Sequence, residues 1–194
     1  MNQLKTARLH TSLRRALLAL AAGLVIFAGQ AAAQEKEKEK LGDLMSEAGF
    51  DWIVGKWVAE TEEGQKYEIV YEWELNKHAI TVHFKRGDYE HHGMIFYMAS
   101  EDKIVQIGAD NIGGTSKGSW ELKGDTAIHK TEHIPADGKA GKIGIVYSKT
   151  DIGTMRAAAY MLNDAGGLAE EPWGVLEYRR QKEQTEQTPK KCCQ

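Results

Sequence analysis

Phe50-Asp51-Trp52-Ile53-Val54-Gly55-Lys56-Trp57 marks the point where the chain enters a series of short strands. Gly55 has no Cβ, so the backbone can turn tightly two residues before Trp57 and let the indole fold under the base of a sheet. From Gly55 onward the hydrophobic period is two. Tyr67, Ile69, Tyr71 and Trp73 share one face and Glu68, Glu72 and Glu74 the other, as in a strand with one dry and one wet side. The same reading gives Lys56–Glu62, Lys66–Glu74, His78–Arg86, His91–Ala99, Lys103–Ala109, Thr115–Leu122, Asp125–Ile134, Lys142–Thr150, Thr154–Asn163 and Trp173–Arg180 as strands.

The separators, among them Glu63-Gly64, Asn76-Lys77, Gly87-Asp88, Lys123-Gly124 and Asp151-Ile152-Gly153, are short and turn-like, which joins antiparallel neighbours into a meander. Upstream, Leu41, Leu44, Met45 and Ala48 recur at helical spacing and predict a helix of about two turns leading into Phe50, placed to cover one end of the sheet. No long helical period follows Gly49 to cover an open sheet, so closure is the simplest way to hide both edges. The expected fold is all-β: a single closed or nearly closed antiparallel up-and-down β-barrel of about ten strands, preceded by a short N-terminal helix. Barrels of about eight strands already hold a small ligand.

A buried Trp57 needs cover for its ring face, and Arg179 and Arg180 stand at the end of the last predicted strand. A Gly-x-Trp at the first strand with an arginine closing the last resembles the calycin superfamily, which includes lipocalins and fatty-acid-binding proteins. Phe50 to Trp57, followed by glycine-punctuated strands as far as Arg180, is most similar to bacterial lipocalin-like domains of nitrobindin type. The resemblance implies a ligand-binding barrel and structural roles for Gly55, Trp57 and Arg179. In nitrobindins a histidine on the closing strands ligates haem. This chain has no histidine after His133, which departs from that pattern and leaves the cofactor unknown.

Residues 1–33 read as a secretory signal peptide. Lys5, Arg8, Arg14 and Arg15 form a basic segment without an acid, Ala16 to Ala28 is apolar, and Ala31-Ala32-Ala33 is a small-residue cleavage site. The apolar run is shorter than the ~20 residues of a spanning helix, so no membrane span is expected after cleavage. Arg14-Arg15 leaves Sec and twin-arginine export both open. The expected location is periplasmic or secreted, with 34–49 a charged spacer and short helix, 50–180 the barrel and 181–194 a disordered polar tail. The chain carries 25 basic and 28 acidic residues; without the four basic residues of the signal, 21 stand against 28, a net of −7. Such a domain is a poor partner for nucleic acid, which selects clustered Lys and Arg. Cys192 and Cys193 are adjacent in the tail, where they fit incidental thiols or a disulfide to a partner protein rather than a staple of the core.

Following the apolar faces inward selects Tyr67, Tyr71, Trp73, Phe96, Trp120, His129, Tyr147 and Met161 as candidate ligand-binding residues. His129, Thr131 and His133 are polar tips on an inward face and require a partner, while Ala157 and Ala159 leave room opposite the aromatics. Glu177 shares parity with Trp173, Val175 and Arg179 and is expected to point inward, ion-paired with Arg156 or Arg179. His78, His83, His91 and His92 crowd one hairpin. A two-residue turn, Gly87-Asp88, would set His83 opposite His92, near enough to share a metal. A three-residue turn ending at Tyr89 pairs Ile80 with Phe96 and Val82 with Met94, separates the histidines and keeps the apolar faces together. The second register is expected, and with it no metal site.

His-Glu-x-x-His and phosphate-cradling motifs are absent from the sequence, and no catalytic residue is assigned. The expected function is binding of a small, mostly apolar molecule inside the barrel. A cell-envelope protein-interaction module is the alternative, and haem binding or an enzyme using His129 with an inward tyrosine is the third.

Overall fold

The computed structural model describes residues 40–123 and 125–181. The signal peptide read over 1–33, the charged spacer up to residue 39, Gly124, and the tail beyond Gln181 with Cys192 and Cys193 lie outside the described residues.

Helix α1 (Leu41–Glu47) and a 3-10 turn (Asp51–Ile53) precede ten strands: β1 (Gly55–Glu60), β2 (Lys66–Glu74), β3 (Ala79–Arg86), β4 (Tyr89–Met98), β5 (Lys103–Asp110), β6 (Thr115–Lys123), β7 (Thr126–Ile134), β8 (Gly141–Asp151), β9 (Thr154–Met161) and β10 (Gly174–Arg180). Each strand pairs antiparallel with its neighbours in sequence, and β10 returns to β1, closing the barrel. This closed ten-stranded antiparallel meander, preceded by one short helix, agrees with the sequence expectation in class and strand number.

One end of the barrel is filled. Leu41 and Met45, four apart on one face of α1, are buried with Phe50, Ile53, Trp57, Tyr71, Ile80, Trp120, Met155 and Tyr178. The aromatic rings meet edge to face: Phe50 on Trp52 at 4.9 Å and 72°, Trp52 on Trp57 at 6.1 Å and 88°, the arrangement that opposes ring edges to ring faces. Trp57 Nε1 donates to the Ile53 carbonyl at 2.6 Å, so the buried indole keeps its hydrogen bond.

The arginine that covers Trp57 is Arg180, not Arg179. Its guanidinium carbon lies 4.5 Å from the indole centroid; Nη1 donates to the Val54 carbonyl at 2.7 Å and Nη2 to that of Trp52. The seam explains the choice: Trp57 is registered with Arg180 and Val58 with Arg179, so Arg179 faces out with Val58. Gly55 has φ 128°, and a Cβ there would overlap Nη1 of Arg180. The glycine therefore serves both the turn and the arginine's access to the backbone.

Two strands run in the opposite phase from the expectation. The β3–β4 turn is Gly87-Asp88, with Arg86 opposite Tyr89, Ile80 opposite Ile95, Val82 opposite Gly93 and His83 opposite His92. Tyr89, His91, Gly93, Ile95 and Tyr97 thus take the inner face in place of Met94, Phe96 and Met98. Phe96 lies outside, between Ala79 and Val105. Strand β4 is apolar on both faces, so alternation alone could not choose its phase, and one residue of turn length decided it. In β10, Leu176 faces Ala157 and Tyr178 faces Met155. Tyr178 is buried and Glu177 is exposed, so Glu177 is not an inward ion-pair partner. The phenol and the leucine bury more apolar surface than Trp173 and Val175 would from the other phase.

Arg180→Ala should lower the melting temperature by about 5 °C or more, through loss of the indole contact and two charge-assisted hydrogen bonds. Arg179→Ala should leave it within about 1 °C, as an exposed substitution. Thermal unfolding of both variants measures this; equal effects would contradict the Arg180 clasp.

Candidate functional site

Above the filled end the barrel contains a cavity of about 420 Å³, within the ~300–1,000 Å³ of small-molecule sites. Its wall has two chemical halves. Ile69, Val82, Phe84, Ile143, Ile145, Ala157, Ala159 and Leu176 make the apolar half, and Tyr89, His91, Gln106, Ser116, His129, Thr131 and His133 the polar half. Arg86 and Trp173 also line it, at the strand ends away from α1.

The polar half comes from the inner faces of β4 to β7, and glycines make space for it. A Cβ on Gly108 would meet the His91 ring at 2.5 Å, and one on Gly118 would meet His129 Nε2 at 2.8 Å. Gly114 stands in the same way against Asp110 and His133. Glycine inside a strand here admits an imidazole lying flat against the sheet.

Most of this half is hydrogen-bonded. His91 Nε2 pairs with Ser116 Oγ at 2.8 Å, and Trp120 Nε1 donates to Gln106 Oε1 at 3.0 Å. His133 Nε2 lies 2.9 Å from Asp110 Oδ2, and the backbone N–H groups of Gly114 and Ile112 donate to Asp110 Oδ1 at 2.7 and 3.1 Å. The Asp110 side chain is wholly shielded from solvent. Desolvation works to raise its pKa, but the donors His133, Gly114, Ile112 and Tyr89 together outweigh it and hold the carboxyl below its ordinary range. Burial lowers His91, opposed by the nearby Asp110.

His129 is the exception. It is 5% exposed and stacks on Trp120 at 4.7 Å and 8°. Its Nε2 finds no hydrogen-bond partner among the described residues. Burial pushes its pKa down from 6.5 to about 3, helped by His91, so it is neutral near pH 7. An unsatisfied buried polar atom costs about 1–3 kcal/mol, and this one is turned against Gly118, shielded from the cavity.

Tyr71, Tyr147 and Tyr178 floor the cavity. Tyr71 donates to Tyr147, whose hydroxyl is pushed up to about 12 by burial; Tyr178 is raised by the same cause. The three phenols are therefore neutral, and no cation stands among them to hold a phenolate.

Of the sequence candidates, Tyr67, Tyr71, His129 and Tyr147 line the cavity. Trp120 is buried beneath it, also bordering a minor void with Phe50, Ile104 and Leu122. Trp73 packs against the core, Phe96 lies outside the barrel, and Met161 is exposed at the end of β9. His91, Gln106, Ser116 and Asp110 were not candidates. Gly93 and Gly108 were the sequence signal for His91 and Gln106, since glycine in a strand interior marks a close approach.

The closing-strand haem ligand implied by the nitrobindin resemblance has no counterpart among the described residues. The closing strands β8 to β10 present Ile143, Ile145, Tyr147, Ala157, Ala159, Leu176 and Tyr178 to the cavity. None is an imidazole, and both phenols are held protonated, whereas tyrosine ligates iron as the phenolate.

No family model matches the chain, and no curated protein matches it. Among solved structures the chain is similar to that titled "Crystal Structure of Rv2717c from M. tuberculosis", with 15% identity, a TM-score of 0.44 and coverage of 69% of this chain and 96% of that one.

The depressed pKa of His129 fixes a sign for pH dependence. Below its ordinary 6.5 the unfolded chain takes up a proton that the folded chain refuses down to about 3. Stability therefore falls as pH drops through that window, by up to about 1.4 kcal/mol per pH unit. His91 adds in the same direction, while Asp110 acts only below its ordinary 3.8. Between pH 6.5 and pH 5, wild type should lose about 2 kcal/mol more than His129→Leu in urea unfolding. Parallel pH profiles would contradict a buried neutral His129.

Proposed function

We propose that this chain is an exported lipocalin-like binding protein, of nitrobindin type in its barrel but not in its cofactor, which holds a small, mostly apolar and uncharged molecule. The observation that carries this reading is the cavity of about 420 Å³, whose wall joins an apolar half to a hydrogen-bonding half. The apolar half accommodates a hydrocarbon or aromatic body. The His91, Gln106, His129 and Thr131 half accommodates one hydroxyl, carbonyl or amide group.

The preference for an uncharged body follows from electrostatics. His129 and the three floor phenols are neutral near pH 7, so nothing deep in the cavity compensates a buried charge, which costs several kcal/mol when unpaired. Arg86 is the cation in the lining; an anionic group fits only beside it, at the mouth. Binding rather than catalysis is supported by an incomplete triad among the described residues of the wall: Ser116 and His91 are hydrogen-bonded, but the buried carboxylate Asp110 pairs with His133 and does not orient His91.

Ala157 and Ala159 are the occlusion points. Ala157→Trp should fill the cavity and weaken binding of the uncharged probe N-phenyl-1-naphthylamine at least tenfold, with far-ultraviolet circular dichroism unchanged. Equal fluorescence titrations of the two proteins would contradict the cavity as the binding site. Export has its own check. The protein recovered from its host should begin at Gln34 and fractionate outside the cytoplasm, and a full-length cytoplasmic chain would contradict the signal reading.

A further inference from the structure

The corrected hairpin register brings together side chains that belong to the outer surface and play no part in the cavity. His83 and Lys85 on β3 face His92 and Glu90 on β4, making a square patch on the outside of the barrel. The two imidazoles stack at 3.9 Å between centroids, 23° apart in plane. Lys85 Nζ holds Glu90 Oε1 at 2.6 Å. That leaves Glu90 Oε2, 3.8 Å from His83 Nε2, which is too long for a hydrogen bond.

His83 Nε2 is itself shielded from solvent and finds no hydrogen-bond partner among the described residues. One ligand atom from each of His83, Glu90 and His92 lies within 4.8 Å of the others. The backbone beneath is fixed: Glu90 N–H donates to Asn111 Oδ1 at 3.1 Å, and Asn111 N–H donates to the Glu90 carbonyl at 3.0 Å.

We propose that His83, Glu90 and His92 bind one divalent transition-metal ion of the imidazole-preferring class, Zn²⁺ or Cu²⁺, with water completing the coordination. Two imidazole nitrogens and a carboxylate oxygen are an established donor set for these ions, and a poor one for Mg²⁺ or Ca²⁺, which take oxygen. Metal–ligand bonds of about 2.0–2.2 Å put neighbouring donor atoms about 3.3 Å apart. Side-chain torsions alone close the gap, because His92 is exposed and His83 and Glu90 are partly so. Lys85 need not be displaced. It stays on Oε1 and orients the carboxylate while Oε2 turns to the metal, the role that outer-shell partners fill at such sites. The ion would clip β3 to β4 across the outer face of the sheet, away from His91, which points into the cavity.

The test is isothermal titration of Zn²⁺ into the purified protein carrying Cys192→Ser and Cys193→Ser, so that tail thiols do not compete. One ion per chain is expected, with affinity falling at least tenfold in His83→Ala and in His92→Ala, severalfold in Glu90→Gln, and unchanged in His78→Ala. Binding that survives both histidine substitutions, or no one-to-one binding at all, would overturn the site. Electron paramagnetic resonance of the Cu²⁺-loaded protein, with both histidines intact, checks it independently of how the variants fold. Coupling to two imidazole nitrogens is expected; one or none would contradict it.

Discussion

Closure of this barrel depends on the clasp between Trp57 and Arg180. Every other pair of neighbouring strands is joined by a connection in the chain, which makes its pairing local. The β1–β10 seam joins the two ends of the sheet and is short, with Trp57 opposite Arg180 and Val58 opposite Arg179. A guanidinium that stacks on the indole and binds the carbonyls of Trp52 and Val54 ties the last strand to the turn before the first. The same contact fixes Trp57 beneath the sheet, against Trp52 and through it Phe50. Loop-closure entropy opposes joining residues this far apart, so a charge-assisted, stacked contact at that point stabilises more than its own pair.

With one end filled by α1 and its aromatic cluster, space is left at the other. That space is shaped by subtraction: Ala157 and Ala159 thin one wall, and Gly108, Gly114 and Gly118 let imidazoles lie against the other. Burial then sets the chemistry. Tyrosines stay protonated and His129 stays neutral, while the shielded carboxylate of Asp110 is held by donors from a loop and from His133. The result is a polar wall without a free charge deep inside, suited to orienting a neutral molecule rather than to moving protons from it.

Much of this could be read from residues alone. The two-residue period and the short turns determine ten antiparallel strands, and Gly55 with Trp57 marks where the sheet begins. Four of the cavity residues, Tyr67, Tyr71, His129 and Tyr147, lie on strands whose two faces differ clearly in polarity. Phase failed where they do not. Met94, Phe96 and Met98 compete with Ile95 and Tyr97 for the inside of β4, and Trp173 and Val175 compete with Leu176 and Tyr178 around β10. A one-residue difference in the Gly87-Asp88 turn reversed the first, brought His91 into the cavity and set His83 on His92. The choice between Arg179 and Arg180 failed for the same reason, since adjacent residues of a strand face opposite ways.

Native mass spectrometry of the protein, purified gently from its own host, tests the binding account most directly. A single small organic mass that accompanies the folded chain and leaves on denaturation is the predicted result. A bare chain, both as purified and after incubation with an apolar extract of the same cells, would contradict it.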